Sequence, residues 1–433
     1  MADTRKHTNS STISEDALYR KVSWRMIPLL LLCFVVAYLD RVNVGFVKQQ
    51  MERDLGFSDT VYGLGAGIFF IGYFLFEVPS NIILHKYGAR RWVGRIMISW
   101  GIVSGAMAFA QDEVHFYLLR FLLGVAEAGF FPGIILYLTY WYPAERRAKV
   151  TSLFMTGMSL AGIIGGPISG WILSVMSGVH GWDGWQWMYV LEGLPSIFLG
   201  LFLLRYLDDR ISDAGWLSDT EKTLLRDRIT QDQLGKAQAS FRDLLKNPRI
   251  WNLAAIYFCL VMGLYGISFW LPSLIEGMGV KDSFEVGLLS AIPWTAAAIS
   301  MVLVAASADK HRERRWHVAI PALLGALGLA LSVHWAETPG LALLSLTIAT
   351  MGIATSLPLF WSLPTAFLTG AASAAGIALI NSLGNLAGFS SPYAIGWLRD
   401  ATHSTSAGMY LLIACLVLAA CITLTIPARL INK

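Results

Sequence analysis

Tyr38-Leu39-Asp40-Arg41-Val42-Asn43 interrupts an apolar run that begins at Trp24 and continues to about Lys48. A helix crosses the bilayer core with about 20 residues rising 1.5 Å each, so the run is long enough to span it. By the same rise, Arg41 lies roughly 24 Å beyond Arg25 and roughly 10 Å short of Lys48. An acid, a base and an amide inside a spanning helix are costly unless they face a polar interior, which makes them candidates for function. The competing reading ends the span near Leu39 and leaves the patch in water. The rest of the chain decides between the two.

Of the 433 residues, 55% are hydrophobic and 14% charged. Soluble domains carry about 25% charged residues, so the composition points to an all-α polytopic membrane protein. The net charge of +4 is spread over short loops rather than gathered in one stripe, and nucleic acid is not an expected partner. Cys33, Cys259, Cys415 and Cys421 sit in apolar segments without metal-ligand spacing and read as buried thiols. The eight histidines form no ligand cluster, so neither a metal nor a cofactor is expected. Residues 1–23 are polar and Ser/Thr-rich, as a disordered tail would be. They lack the compact apolar core and cleavage site of a removable signal peptide, and the first span is expected to act as an uncleaved signal.

Twelve apolar segments follow: 24–47, 60–84, 91–110, 115–139, 148–176, 184–205, 250–274, 285–307, 316–334, 341–365, 372–397 and 407–427. They predict twelve transmembrane helices in two pseudo-symmetric six-helix bundles, 24–207 and 250–427. Between them lies a linker, 208–249, in which Ser218 with Glu221 and Ser240 with Asp243 are helix-start signals. Residues 428–433 form a short tail. Lys86, Arg90, Arg91, Arg146, Arg147, Lys149, Lys310, Arg312, Arg314 and Arg315 fall in alternate loops. That bias predicts an inner (plasma) membrane protein with both termini and the linker in the cytoplasm. The basic loop at His85–Arg91 recurs at Asp309–Arg315, six spans later, as two repeats about the membrane normal would place it. An alternating-access transporter is the leading reading.

The intramembrane charge lies almost wholly in the first half: Asp40, Arg41, Glu77, Arg120, Glu127 and Glu192. Arg120 and Glu127 are two helical turns apart and share a face about 10 Å apart along the axis. Arg120 falls at a depth comparable to Arg41, and two guanidiniums at one depth could form a fork for a carboxylate. The charges could instead only pair with one another structurally. Glu127 lies deeper, near the midplane, and with Asp40 is a candidate proton carrier. Glu77 and Arg95 read as a gate or packing network toward the cytoplasmic side, near Lys86 and Arg90. Glu192, toward the outer end of the sixth span, reads as interfacial and is left out of the core site. Trp361 and Asn381 could hold substrate hydroxyls or simply join helices. Tyr38 and Tyr73 stand on the same footing as cavity-lining residues.

The motifs Tyr38–Asn43, Gly88-Ala89-Arg90-Arg91-Trp92, Arg120–Gly133, Trp185–Pro195 and Asn381–Asn385 resemble the major facilitator superfamily, and within it the anion:cation symporter family. The resemblance runs from about Tyr19 to about Pro427. It implies a twelve-helix bundle that moves organic anions with protons, closest in character to the tartrate and 4-hydroxyphenylacetate permease branches. The acids matching Asp40 and Glu127 would couple protons, and the arginines matching Arg41 and Arg120 would bind substrate carboxylate. Tyr38, Tyr73, Trp361 and Asn381 would surround a sugar-acid-type pocket. Asn81 and His85 replace the glycine and aspartate usual between the second and third spans, and Asp309 alone keeps the acid. A gate of Glu77, Arg90 and Asp309 therefore differs from the usual one. Met158 stands near a position that is glutamine in the galactonate branch, which argues against a polyhydroxylated substrate.

The expectation is proton-driven uptake of a small organic carboxylate by a monomer whose partners are that anion, protons and the bilayer. Protonation of Asp40 and Glu127 would release Arg41 and Arg120 from internal ion pairs. An antiporter or exporter of an anion or drug on the same fold is the alternative. An enzyme or sensor is disfavoured, because the chain shows no nucleophile–base pair, nucleotide motif or signalling domain.

Overall fold

The computed structural model describes residues 14–233, 247–367 and 371–431, which are almost entirely helical. The first half contains α1 (Glu15–Val42) with α2 (Val44–Leu55), α3 (Asp59–Tyr87), α4 (Ala89–Ala106), α5 (Glu113–Glu127) with α6 (Phe130–Thr139), α7 (Ala144–Met155) with α8 (Gly157–Val175), and α9 (Gly184–Tyr206). The helix α10 (Asp219–Gln233) lies in the linker. The second half contains α11 (Pro248–Glu276), α12 (Ser283–His311), α13 (Arg315–His334), α14 (Pro339–Phe360) with α15 (Ser362–Phe367), α16 (Ala371–Thr402) and α17 (Thr405–Thr425). Among the described residues, eleven helical units are long and apolar enough to cross a membrane. The remaining expected segment, 372–397, lies within α16, whose Asn381, Ser382, Asn385, Ser390 and Ser391 dilute its apolar character. Successive spans alternate in direction. One end of the molecule, the linker face, carries Glu15, α10 and Pro248, and the opposite end is the far face.

The short loops work because side-chain oxygens satisfy the orphan donors at helix starts. Ser58 accepts from the Val61 N–H at α3, Asp112 from His115 at α5, and Asp282 from Glu285 at α12. Asp183 and Gln186 form a reciprocal capping box at α9. In the linker, Ser218 and Glu221 do the same, each side chain bonding the other's backbone N–H at 2.8 and 3.3 Å.

One expectation about the ends changes. The first helix starts at Glu15 rather than near Trp24, because its early turns are tied down. Lys21 pairs with Glu221 at 2.9 Å, Glu15 with Arg228 at 2.8 Å and Asp16 with Arg146 at 2.6 Å. Residues 1–13 and the Ser240–Asp243 start signal lie outside the described residues.

The halves meet along two seams of small residues, α3 with α16 and α8 with α12. A Cβ at Gly63 or Gly67 would strike the backbone of Pro392 or Phe389, and Gly166 and Gly287 each face the other's carbonyl. Such close backbone approach is how helices associate in a membrane without a hydrophobic driving force. At the far face polar contacts lock both seams. Asp59 pairs with Lys48 at 2.7 Å and with Arg399 of α16 at 3.1 Å. The Thr60 N–H donates to Asp400 at 2.7 Å, and Ser174 donates to Asp282 at 3.0 Å. The Tyr62 hydroxyl donates to the Phe269 carbonyl at 2.9 Å.

Candidate functional site

Among the described residues, one spanning unit departs from helical geometry midway, at Ala128–Gly129, while Asn43, Thr156 and Trp361 join consecutive helices with helical φ and ψ. The break after Glu127 has a clear local cause. Ala128 leaves helical geometry (ψ 130), Gly129 takes a left-handed φ of 83, and Pro132 brings no backbone donor. Discontinuous spans of this kind mark substrate and ion sites in transporters, since unwound backbone is tolerated only beside a cavity or within protein.

Arg41, near the end of α1, forms an ion pair with Glu127, the last residue of α5. Its guanidinium also donates to the Tyr265 hydroxyl of α11 at 3.3 Å. It lies 5.4 Å from both the Phe69 and Tyr73 ring centroids, a cation–π setting. The Glu127 side chain is almost completely enclosed at 2% exposure, while that of Arg41 keeps 12%. One charge is therefore sealed and its partner is partly open.

The other members of the expected four-residue site go elsewhere. Asp40 does not pair with Arg41. It is buried in the first half, where it accepts from Trp100 Nε1 at 2.8 Å, Ser196 at 2.9 Å and Ser104 at 3.1 Å. Arg120, expected at the depth of Arg41, is 0% exposed and donates to the backbone carbonyls of Gly65 at 3.1 Å and Ala66 at 3.2 Å. The fork of two guanidiniums therefore does not form in this state. Arg120 lies 5.3 Å from the centroid of Phe69, the ring that Arg41 also approaches. Each residue turns the next side chain by about 100° around a helix, so equal depth does not imply a shared direction.

Of the aromatic candidates, Tyr73 is buried beside Arg41, and Tyr38 lines the cleft between α1, α8, α11 and α12. Trp361 sits at the α14–α15 junction, its ring 4.8 Å from Tyr257, whose hydroxyl lies 3.5 Å from Asn381 Oδ1. Tyr257 thereby gathers Trp361 and Asn381 on the second-half wall. Glu77 is buried and faces Asn385 of α16 rather than Lys86 or Arg90. Arg90 instead meets Asp209, which accepts from its backbone N–H at 2.7 Å. Asp309 pairs with Arg314 at 2.8 Å. The three expected gating residues thus occupy separate contacts, and Asp209 supplies an acid to the loop that lacks one at His85.

Sequence reasoning missed Tyr265, Phe69 and the contacts of Glu192. Glu192 is buried rather than interfacial, accepting from Ser169 at 2.6 Å and Asn43 at 3.0 Å. Gly129 and Pro132 were a legible signal for the break at Glu127. Tyr265 had none beyond being a hydroxyl in an apolar span.

The model of the Major Facilitator Superfamily matches residues 30–392. The chain belongs to that superfamily. It is 50% identical to a putative tartrate transporter of Agrobacterium vitis over 95% of both chains. It is 41% identical to a quinolone resistance transporter of Acinetobacter baumannii over 96% of both. Its fold matches the xylose transporter XylE of E. coli in an inward-open conformation with a TM-score of 0.76. That match has 15% identity and covers 93% of this chain and 96% of that one. The protein is thus a multi-pass membrane protein of a transporter superfamily.

Proposed function

We propose that this superfamily member takes up a small organic carboxylate by proton symport, as in the anion:cation symporter branch. The observation that carries the reading is the Arg41–Glu127 pair, one enclosed acid holding one partly open guanidinium between aromatic rings. A proton on Glu127 cancels the charge that holds Arg41 and frees its planar donors for a substrate carboxylate. Proton and anion then favour each other's binding, which is the reciprocal coupling symport requires. Similarity to a tartrate transporter supports a carboxylate substrate.

Tyr38, Tyr73, Trp361 and Asn381 provide the substrate-facing walls in this reading, and Asp40 is a second proton carrier. Arg120 acts on the substrate only through Phe69. Glu77, Arg90 and Asp309, with Asp209, serve the gating movements of the linker face. The Lys/Arg bias assigns that face to the cytoplasm. The far-face locks then hold an inward-facing state of two six-helix bundles, 24–207 and 250–427, working as a monomer.

Export of an anion or drug is the second reading, favoured by similarity to the quinolone resistance transporter. Proteoliposomes separate the two. Symport predicts that an acid-outside gradient drives accumulation of tartrate or 4-hydroxyphenylacetate, whichever raises the protein's unfolding temperature. Accumulation driven only by the opposite gradient would replace symport with exchange.

A further inference from the structure

Two rungs tie α1 to the antiparallel α9. Ser196 donates to Asp40 at 2.9 Å, and one turn along Asn43 Nδ2 donates to Glu192 at 3.0 Å. Each rung joins one carboxyl to a neutral donor, with the acid on opposite helices. Asp40 and Glu192 are 1% and 4% exposed. The charged groups of the packed elements are engaged elsewhere. From α2, Lys48 is paired with Glu52 and Asp59, and from α5, Arg120 is held by the Gly65 and Ala66 carbonyls. From α4, Arg95 stacks on Trp92 at 3.9 Å, and on α9 itself Tyr189 is a neutral phenol one turn before Glu192. From α8, Ser169 is the neutral donor to Glu192. An ionised carboxyl buried among neutral donors is costly, and a bound proton removes that cost while leaving the second oxygen to accept.

The donors to Glu192 also border a cleft. Asn43 and Ser169 both line the cleft between the halves, together with Tyr38, Ser268, Ser290 and Trp294. The Asn43 Oδ1 is buried without a protein partner. An O–H donor entering the cleft would satisfy it. The cleft is closed toward the far face by the α8–α12 seam, where Gly166 meets Gly287 and Ser174 donates to Asp282.

We infer that Glu192 is a proton-binding residue of the transport cycle, loaded from the far face through Asn43 and Ser169 when the α8–α12 seam parts. The proton passes from water in the opened cleft to a Glu192 carboxylate oxygen, giving the neutral acid, and returns to water by the reverse step. The neighbouring charges of Asp40 and Glu192 couple their occupancy, so a proton on one changes the other's demand. This inference rests on the proton-symport reading, but its test does not need transport.

The test is infrared difference spectroscopy of the full-length protein in liposomes as external pH is changed. Wild type is expected to show a carboxylic C=O band that Glu192→Gln loses and Glu192→Asp moves. Ser169→Ala, a milder change, is expected to shift the midpoint of that band while retaining it. In Ser174→Cys with Asp282→Cys, oxidation should lock the seam and stop the band from following external pH, with recovery on reduction. A band unchanged in Glu192→Gln, or one that titrates equally in the locked protein, would overturn the inference. Failure of symport would instead appear as absence of gradient-driven uptake with the Glu192 band intact.

Discussion

Asp40 and Arg41 are consecutive in the chain and belong to different places in the fold. Asp40 is closed in by Trp100, Ser104 and Ser196, while Arg41 reaches Glu127 and Tyr265. The proposed anion site and a buried carboxyl therefore share one turn of α1 without sharing a partner. Movement of this turn of α1 would reach both.

Arg41→Lys should weaken substrate binding by tenfold or more, about 1.4 kcal/mol, because lysine cannot present two parallel donors. Arg120→Lys should instead lower the unfolding temperature with little change in affinity, since its donors hold α3 carbonyls. Binding titrations alongside thermal unfolding of both variants check the contrast. Equal losses of affinity would restore Arg120 to the substrate site.

Glu127→Gln mimics the protonated state and leaves Arg41 permanently available. Wild-type affinity should rise as pH falls, because the proton releases Arg41, and should fall as pH rises. The variant should bind at high pH as well as at low pH, exchange substrate in counterflow, and fail to accumulate it against a gradient. Undiminished accumulation would remove Glu127 from the coupling.

Asp59→Asn takes the shared acid from Lys48 and Arg399 and loosens the far-face lock. The contact that bridges the halves, Asp59 with Arg399, is partly exposed and worth about 1 kcal/mol, so a severalfold shift toward far-face opening is expected. Alkylation of Ser174→Cys by a membrane-impermeant maleimide should speed up in the Asp59→Asn background. An unchanged rate would mean that the small-residue seams alone keep this face shut.

Gly166→Val places a side chain against the Gly287 carbonyl, where the backbones leave no room. The α8–α12 seam should then stay parted, with transport lost and the protein still folded. Spin labels at Ser174→Cys and Asp282→Cys should report a longer separation than in the parent. A normal separation with normal transport would show that α8 accommodates the side chain by sliding.

Length and periodicity of the apolar runs were enough to place the spans in order and each charge along its own helix. A helix rises by a constant 1.5 Å per residue, so depth can be counted along the chain. The helix start at Ser218 with Glu221 was equally local, because the cap acts within three residues of its own helix start. Azimuth was not local. Which way Arg120 points is settled by α3 presenting carbonyls at Gly65 and Ala66, far away in sequence, and Arg41 found Glu127 only once α1 met α5. Glu192 looked interfacial by count and became buried because Asn43 and Ser169 close over it. A buried polar group takes its meaning from the partners that satisfy it, and only packing brings those partners together.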